Sequence, residues 1–118
     1  QCVSLHIPAT AETKQSINYS LLSLMPKGAL LINTARKEVI YEEDLARTLE
    51  ERTDFHYVAD VAPTIADTLK EKFGNRVFFT PKKMGAQTAE ANINAGIAAA
   101  RQSVGYLKDG IDKFRVNK

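Results

Sequence analysis

Arg36, Asp60, Lys82 and Lys83 are the residues of this 118-residue chain best placed to do chemistry, because each follows a short apolar run. Gly28-Ala29-Leu30-Leu31-Ile32-Asn33-Thr34-Ala35-Arg36 delivers an arginine to the C-terminal end of one run. Val77-Phe78-Phe79 leads into the cationic turn Thr80-Pro81-Lys82-Lys83-Met84-Gly85. A guanidinium offers a planar fork that pairs bidentately with a carboxylate and stays charged at any working pH. In an open α/β sheet, ligands bind beyond the carboxyl ends of the strands. Arg36 and the lysine pair are therefore expected to converge on one crevice, with a small anion as its guest.

Other chemistries find no constellation. One cysteine and two distant histidines supply no metal site at the usual ligand spacing. Ser4, His6 and Asp60 lack the context of a nucleophile elbow. His6 and His56 lie in strand-like runs and read as packed, hydrogen-bonded residues rather than catalytic ones. A net charge of +2 with scattered basic residues points to no nucleic-acid partner. No apolar stretch approaches the roughly 18 residues that would cross a membrane. The single Cys2 excludes an intrachain disulfide and fits a reducing, cytoplasmic setting. With 44% hydrophobic and 25% charged residues, the chain can build a core, and its length allows one domain at most.

Four apolar runs alternate with helical stretches. Cys2 to Pro8 reads as a strand closed by proline, and Asn18 caps a short helix running to Met25, ended by Pro26-Lys27-Gly28. Ala29 to Asn33 is a second strand, apolar enough to be buried on both faces. Glu42 to Glu51 is an amphipathic helix with acids in its first turn and Leu45 and Leu49 one turn apart. Phe55 to Asp60 and Arg76 to Thr80 are the third and fourth strands, with a short helix over Asp67 to Lys72 between them. Thr88 to about Lys108 is one long helix whose stripe is Ile93, Ile97, Ala100, Val104 and Leu107, ended by Gly110. Alternating strands and helices imply crossovers and a mostly parallel sheet. No linker or repeat divides the chain, and Gln1 opening directly into an apolar strand reads as a cut inside a longer protein.

Ser4-Leu5-His6-Ile7-Pro8 with Thr10 and Thr13, then Asn33-Thr34-Ala35-Arg36 with Val39, then Asp60-Val61, follow one another as in the motifs of a known family. Together they resemble the D-isomer-specific 2-hydroxyacid dehydrogenases, most closely short D-3-phosphoglycerate dehydrogenases, over essentially the whole chain. The resemblance implies an α/β fold: the second half of a doubly wound, Rossmann-like NAD-binding domain. Residues 1–118 would be that partial domain, with the helix over 88–108 returning toward a missing substrate domain. None of the six glycines forms the family's G-x-G-x-x-G turn. The acidic residue that separates NAD from NADP is absent as well, and the isolated chain is expected to be inactive.

By the same resemblance, Arg36 holds the substrate carboxylate and polarises the 2-keto group. Asp60 receives the nicotinamide carboxamide, while His6, Ile7, Pro8, Thr34, Ala35, Arg36 and Gly85 line the cofactor groove. The family's acid–base histidine follows Thr-Pro and is oriented by a glutamate five residues beyond the aspartate. Here no histidine follows Thr80-Pro81, and the position five beyond Asp60 is Ile65. A lysine is already charged at neutral pH and needs no such partner, so Lys82 or Lys83 would donate the proton. Counting forward from Thr80-Pro81 selects Lys82; counting back from Thr88 selects Lys83. Acting as base in the reverse direction requires a lowered pKa, which Arg36 nearby and partial burial would favour. A subgroup of short phosphoglycerate dehydrogenases carries lysine here, and likeness to it implies activity.

The expected parent is an NAD-dependent, homodimeric oxidoreductase of serine biosynthesis. It would interconvert 3-phospho-D-glycerate and 3-phosphohydroxypyruvate, a small 2-hydroxy/2-keto acid pair. Two alternatives stay open: a glycerate- or glyoxylate-type D-2-hydroxyacid dehydrogenase, and a non-catalytic NAD-binding interaction protein on the same fold.

Overall fold

The computed structural model describes residues 1–82 and 88–117. The chain forms two compact units, residues 1–83 and 84–118. The first contains β1 (Cys2–Leu5), α1 (Tyr19–Leu22), β2 (Leu30–Asn33), a 3-10 turn over Lys37–Val39, α2 (Glu42–Glu51), β3 (His56–Ala59), α3 (Ala66–Phe73) and β4 (Val77–Phe79). The second contains α4 (Ala89–Asp109).

The four strands make one parallel sheet in chain order, β1-β2-β3-β4. Leu5, Asn33, Ala59 and Phe79 occupy one register row at its carboxyl edge. Right-handed crossovers that step across a sheet in one direction put every connecting helix on the same side. The core follows from this: Leu31, Tyr57, Ala59 and Phe79 of the sheet pack with Leu22 of α1, Leu45 and Leu49 of α2 and Leu69 of α3. Each buried leucine contributes about 2 kcal/mol by area.

The same topology corrects the expectation that β2 is buried on both faces. Leu31 and Asn33 are buried, while Leu30 and Ile32 are only half-buried. Ser4, Ile32, Val58 and Phe78 share the opposite face, where Phe78 is 61% exposed. Only a strand order that reverses direction places helices on that second side, and the four strands of the described residues show no reversal.

Element ends have local causes. α1 stops at Leu22 rather than Met25 because Leu24 and Met25 donate to carbonyls three residues back, tightening the chain ahead of Pro26. Gly28 then turns at φ 73°, and its N–H donates to Asp54 Oδ2 at 2.6 Å. β1 ends at Leu5, short of Pro8. α2 runs over the expected residues, with Glu42, Glu43 and Asp44 complementing its N-terminal dipole. Its C-terminus carries no cation of its own, and Arg76 takes that part, donating to the carbonyls of Leu49 at 2.8 Å and Arg52 at 2.7 Å. In the second unit, Thr88 caps α4 by accepting from Ala91 N at 3.0 Å, and Gly110 at φ 65° closes it. Ile93, Ile97, Val104 and Leu107 of its stripe are exposed. Among the described residues, no helix is long and apolar enough to cross a membrane.

Candidate functional site

Asn33 is the buried polar residue at the end of β2, with 1% of its surface exposed. A buried amide must find partners for its donor and acceptor groups. Asn33 Oδ1 accepts from Ala35 N at 3.0 Å, and Nδ2 donates to the Arg36 carbonyl at 2.9 Å. The second amide hydrogen faces Tyr57 Oη at 3.4 Å. Burial pushes the Tyr57 hydroxyl up to about 12, against the lowering effect of its bond with Asn33, so it stays neutral at physiological pH. The result is a short Asx-type turn that carries Arg36 off the sheet edge.

Arg36 is exposed, with extended backbone, and its Nη1 donates to the neighbouring Ala35 carbonyl at 3.0 Å. Together with His6, Ile7, Pro8, Ala9 and Ala35 it lines a cleft of about 520 Å³. Two segments that leave the carboxyl ends of adjacent strands make this cleft, with alanine and proline allowing close approach of a ligand to the backbone. Its walls are apolar and its cation comes from Arg36, a combination suited to a ligand that is part ring, part anion.

Asp60 follows β3 and is half-buried. Its N–H donates to the Asn33 carbonyl at 3.1 Å, extending the sheet ladder past the last strand residue. Thr80 Oγ1 lies 2.9 Å from Asp60 Oδ1 and 2.7 Å from the Asp60 carbonyl. Hydrogen bonds thus run from the Arg36 main chain through Asn33 and Asp60 to Thr80, across the ends of three strands. Phe79 and Asn33 share one register row, and Lys82 lies three residues beyond Phe79 as Arg36 lies three beyond Asn33. Two strand spacings, roughly 10 Å, separate those strands.

Of the residues singled out from sequence, His6, Ile7, Pro8, Ala35 and Arg36 come together in the cleft. Thr34 is exposed and, like Asp60 and Lys82, is not among the residues lining it. Lys82 is exposed rather than partly buried. Lys83 and Gly85 lie outside the described residues. His6 and His56 are exposed instead of packed: His6 Nε2 lies 2.8 Å from Ser4 Oγ, and His56 Nδ1 lies 3.2 Å from the Asp54 carbonyl. Both occupy outward positions beside strand ends. Ile65 is half-buried against the core at the start of α3.

Sequence reasoning missed the side-chain roles of Asn33, Tyr57 and Thr80. Asn33 had a readable signal, since asparagine after an apolar strand tends to bond its own backbone two residues on. Tyr57 and Thr80 act across strands and had none. A second concavity of about 300 Å³ is lined by Lys14, Lys37, Tyr41, Glu42, Glu43 and Thr64 among others. Two of its carboxylates are engaged, Glu42 by Thr64 N at 2.7 Å and Glu43 by Tyr41 Oη at 3.0 Å.

Comparison with known proteins sets this arrangement in a family. Residues 1–82 match the model of the D-isomer specific 2-hydroxyacid dehydrogenase NAD-binding domain. The chain is 33% identical to D-3-phosphoglycerate dehydrogenase of Haemophilus influenzae, over 98% of this chain and 29% of that protein. It is 36% identical to glyoxylate reductase of Thermofilum pendens, over 98% of this chain and 34% of that one. The crystal structure of NAD+-bound 3-phosphoglycerate dehydrogenase of Entamoeba histolytica superposes with a TM-score of 0.80 at 50% identity, covering 99% of this chain and 38% of that chain. The chain spans about a third of the length of these relatives. Ordered motifs, a parallel sheet with its cleft at the carboxyl edge, and a match over residues 1–82 agree: the chain belongs to the D-isomer specific 2-hydroxyacid dehydrogenase family, in its NAD-binding domain.

Proposed function

We propose that the chain is the second half of the NAD-binding domain of an oxidoreductase that interconverts 3-phospho-D-glycerate and 3-phosphohydroxypyruvate in serine biosynthesis. The observation that carries this is the cleft in which Arg36 meets His6, Ile7, Pro8 and Ala35. The 50% identity to an NAD+-bound 3-phosphoglycerate dehydrogenase supports the choice of substrate. The apolar walls and small side chains of the cleft fit part of a dinucleotide lying along the backbone. A nicotinamide bound there supplies or accepts hydride. Arg36 holds the substrate carboxylate with its fork and draws electron density from the 2-keto oxygen. Asp60, steadied by Thr80, orients the cofactor's amide. Lys82 or Lys83 gives the proton to the keto oxygen on reduction and removes it on oxidation. We extend the reading to a homodimer working in a reducing, cytoplasmic setting.

The test is NADH oxidation by the full-length protein with 3-phosphohydroxypyruvate, beside an unphosphorylated keto acid and glyoxylate. Fast turnover of the phosphorylated substrate, abolished in Lys82→Ala or Lys83→Ala, is the expected result. Preference for the unphosphorylated substrates overturns it in favour of a glycerate or glyoxylate enzyme. The half-buried Ile65 favours a second reading, since no carboxylate stands there to orient a histidine. A non-catalytic NAD-binding protein would bind NADH and turn over no keto acid.

A further inference from the structure

We propose that Asn33 is the positioning residue of Arg36, setting the direction of its guanidinium through the main chain. This rests on the reading that Arg36 holds the substrate carboxylate. Arg36 is exposed, and among the described residues its side chain makes one local bond, to the Ala35 carbonyl. Its aim is therefore set where its Cα leaves the loop. One side chain holds that loop on both sides: Asn33 Oδ1 takes Ala35 N at 3.0 Å, and Asn33 Nδ2 gives to the Arg36 carbonyl at 2.9 Å.

The orientation of the amide is itself determined. Exchanging its oxygen and nitrogen would face a donor with Ala35 N–H and an acceptor with the Arg36 carbonyl. Tyr57 Oη lies 3.4 Å from Nδ2 and is buried in the core. The Asn33 carbonyl accepts from Asp60 N at 3.1 Å, so one residue braces both groups assigned to ligand contact. The position calls for a donor and an acceptor on a short side chain, which an ionised aspartate of the same shape cannot provide.

The experiment is Asn33→Asp in the full-length protein, measured with and without Arg36→Ala. The expected result is a keto-acid KM raised about tenfold to a hundredfold. In the Arg36→Ala background the same substitution should change KM no further, because its effect passes through the arginine. Wild-type KM in Asn33→Asp, or an effect that adds to that of Arg36→Ala, overturns the proposal. Should Asn33→Asp not fold, Tyr57→Phe removes only one hydroxyl and should show a smaller KM rise with the same dependence on Arg36. A wild-type protein without turnover defeats the functional reading instead. The positional claim is then decided by a crystal structure of Asn33→Asp. Separation of the Arg36 carbonyl from residue 33 beyond about 3.5 Å supports it, and an unmoved loop overturns it.

Discussion

Thr80 Oγ1 lies 2.9 Å from Asp60 Oδ1 and 2.7 Å from the Asp60 carbonyl, so one hydroxyl joins the segments that leave β3 and β4. A hydroxyl has one proton to donate, and the carboxylate is the stronger acceptor. Thr80→Val keeps the branched shape and removes the bond. We expect NADH to bind about tenfold more weakly in the full-length protein, by fluorescence titration, and Thr80→Ser to recover most of the loss. Equal affinity in all three proteins would show that Thr80 serves only the fold.

Arg36→Lys separates charge from geometry. The lysine keeps the positive charge but has no fork, so kcat/KM for the keto acid should fall about a hundredfold. Arg36 is exposed, so the melting temperature should stay unchanged. A lysine variant with wild-type kinetics would remove bidentate recognition from the account.

Arg76 tests how the amino edge of the sheet is held. Its guanidinium donates to the carbonyls of Leu49 and Arg52 at 2.8 and 2.7 Å and stacks over Phe73 at 4.9 Å. Arg76→Met keeps much of the apolar stem and leaves the end of α2 without these donors. Urea unfolding should show a loss of about 2 to 3 kcal/mol.

Asp54 predicts an acid-side dependence of stability. The Arg52 guanidinium at 2.9 Å, then the Gly28 N–H at 2.6 Å, hold its carboxyl well below the usual carboxylate range. A group whose folded pKa is depressed stabilises the fold above its unfolded value, near 3.9, and loses that contribution as pH falls toward the folded one. Asp54→Asn should therefore be less stable than wild type at pH 7. The gap should narrow below about pH 4, and unfolding curves recorded from pH 7 to pH 2.5 would check both sign and window. A gap that widens on acidification would refute the assignment.

The parts of the fold legible in the chain were those set by neighbours in sequence. Glu42 to Glu51 was readable because its acids and its Leu45/Leu49 spacing lie within one helix. The helix starting near Thr88 and ended by Gly110 was readable because helical spacing and a stop at glycine are local events. The sequence pattern implies a mostly parallel sheet but not the order of its strands, and the burial of β2 on both faces is not what the structure shows. An apolar run such as Leu30-Leu31-Ile32 reports hydrophobicity, whereas which face is covered depends on where the crossovers step. His6 and His56 have the expected hydrogen bonds but not the expected packing, for the same reason: strand-like neighbours do not say whether a residue at a strand's end faces inward.

By itself the sequence determined the chemistry on offer: a guanidinium after one apolar strand, a carboxylate after the next, lysines after the last, and motifs ordered as in the 2-hydroxyacid dehydrogenases. These depend on residue type and spacing, which folding does not alter. Tertiary structure decided the rest. It gathered His6, Ile7, Pro8, Ala35 and Arg36 around one cleft while leaving Lys82 outside its lining, and it made a buried Asn33 the brace of the arginine loop. Cross-strand partners such as Asn33 with Tyr57, or Thr80 with Asp60, are 24 and 20 residues apart along the chain. Only the parallel register brings them within hydrogen-bonding distance.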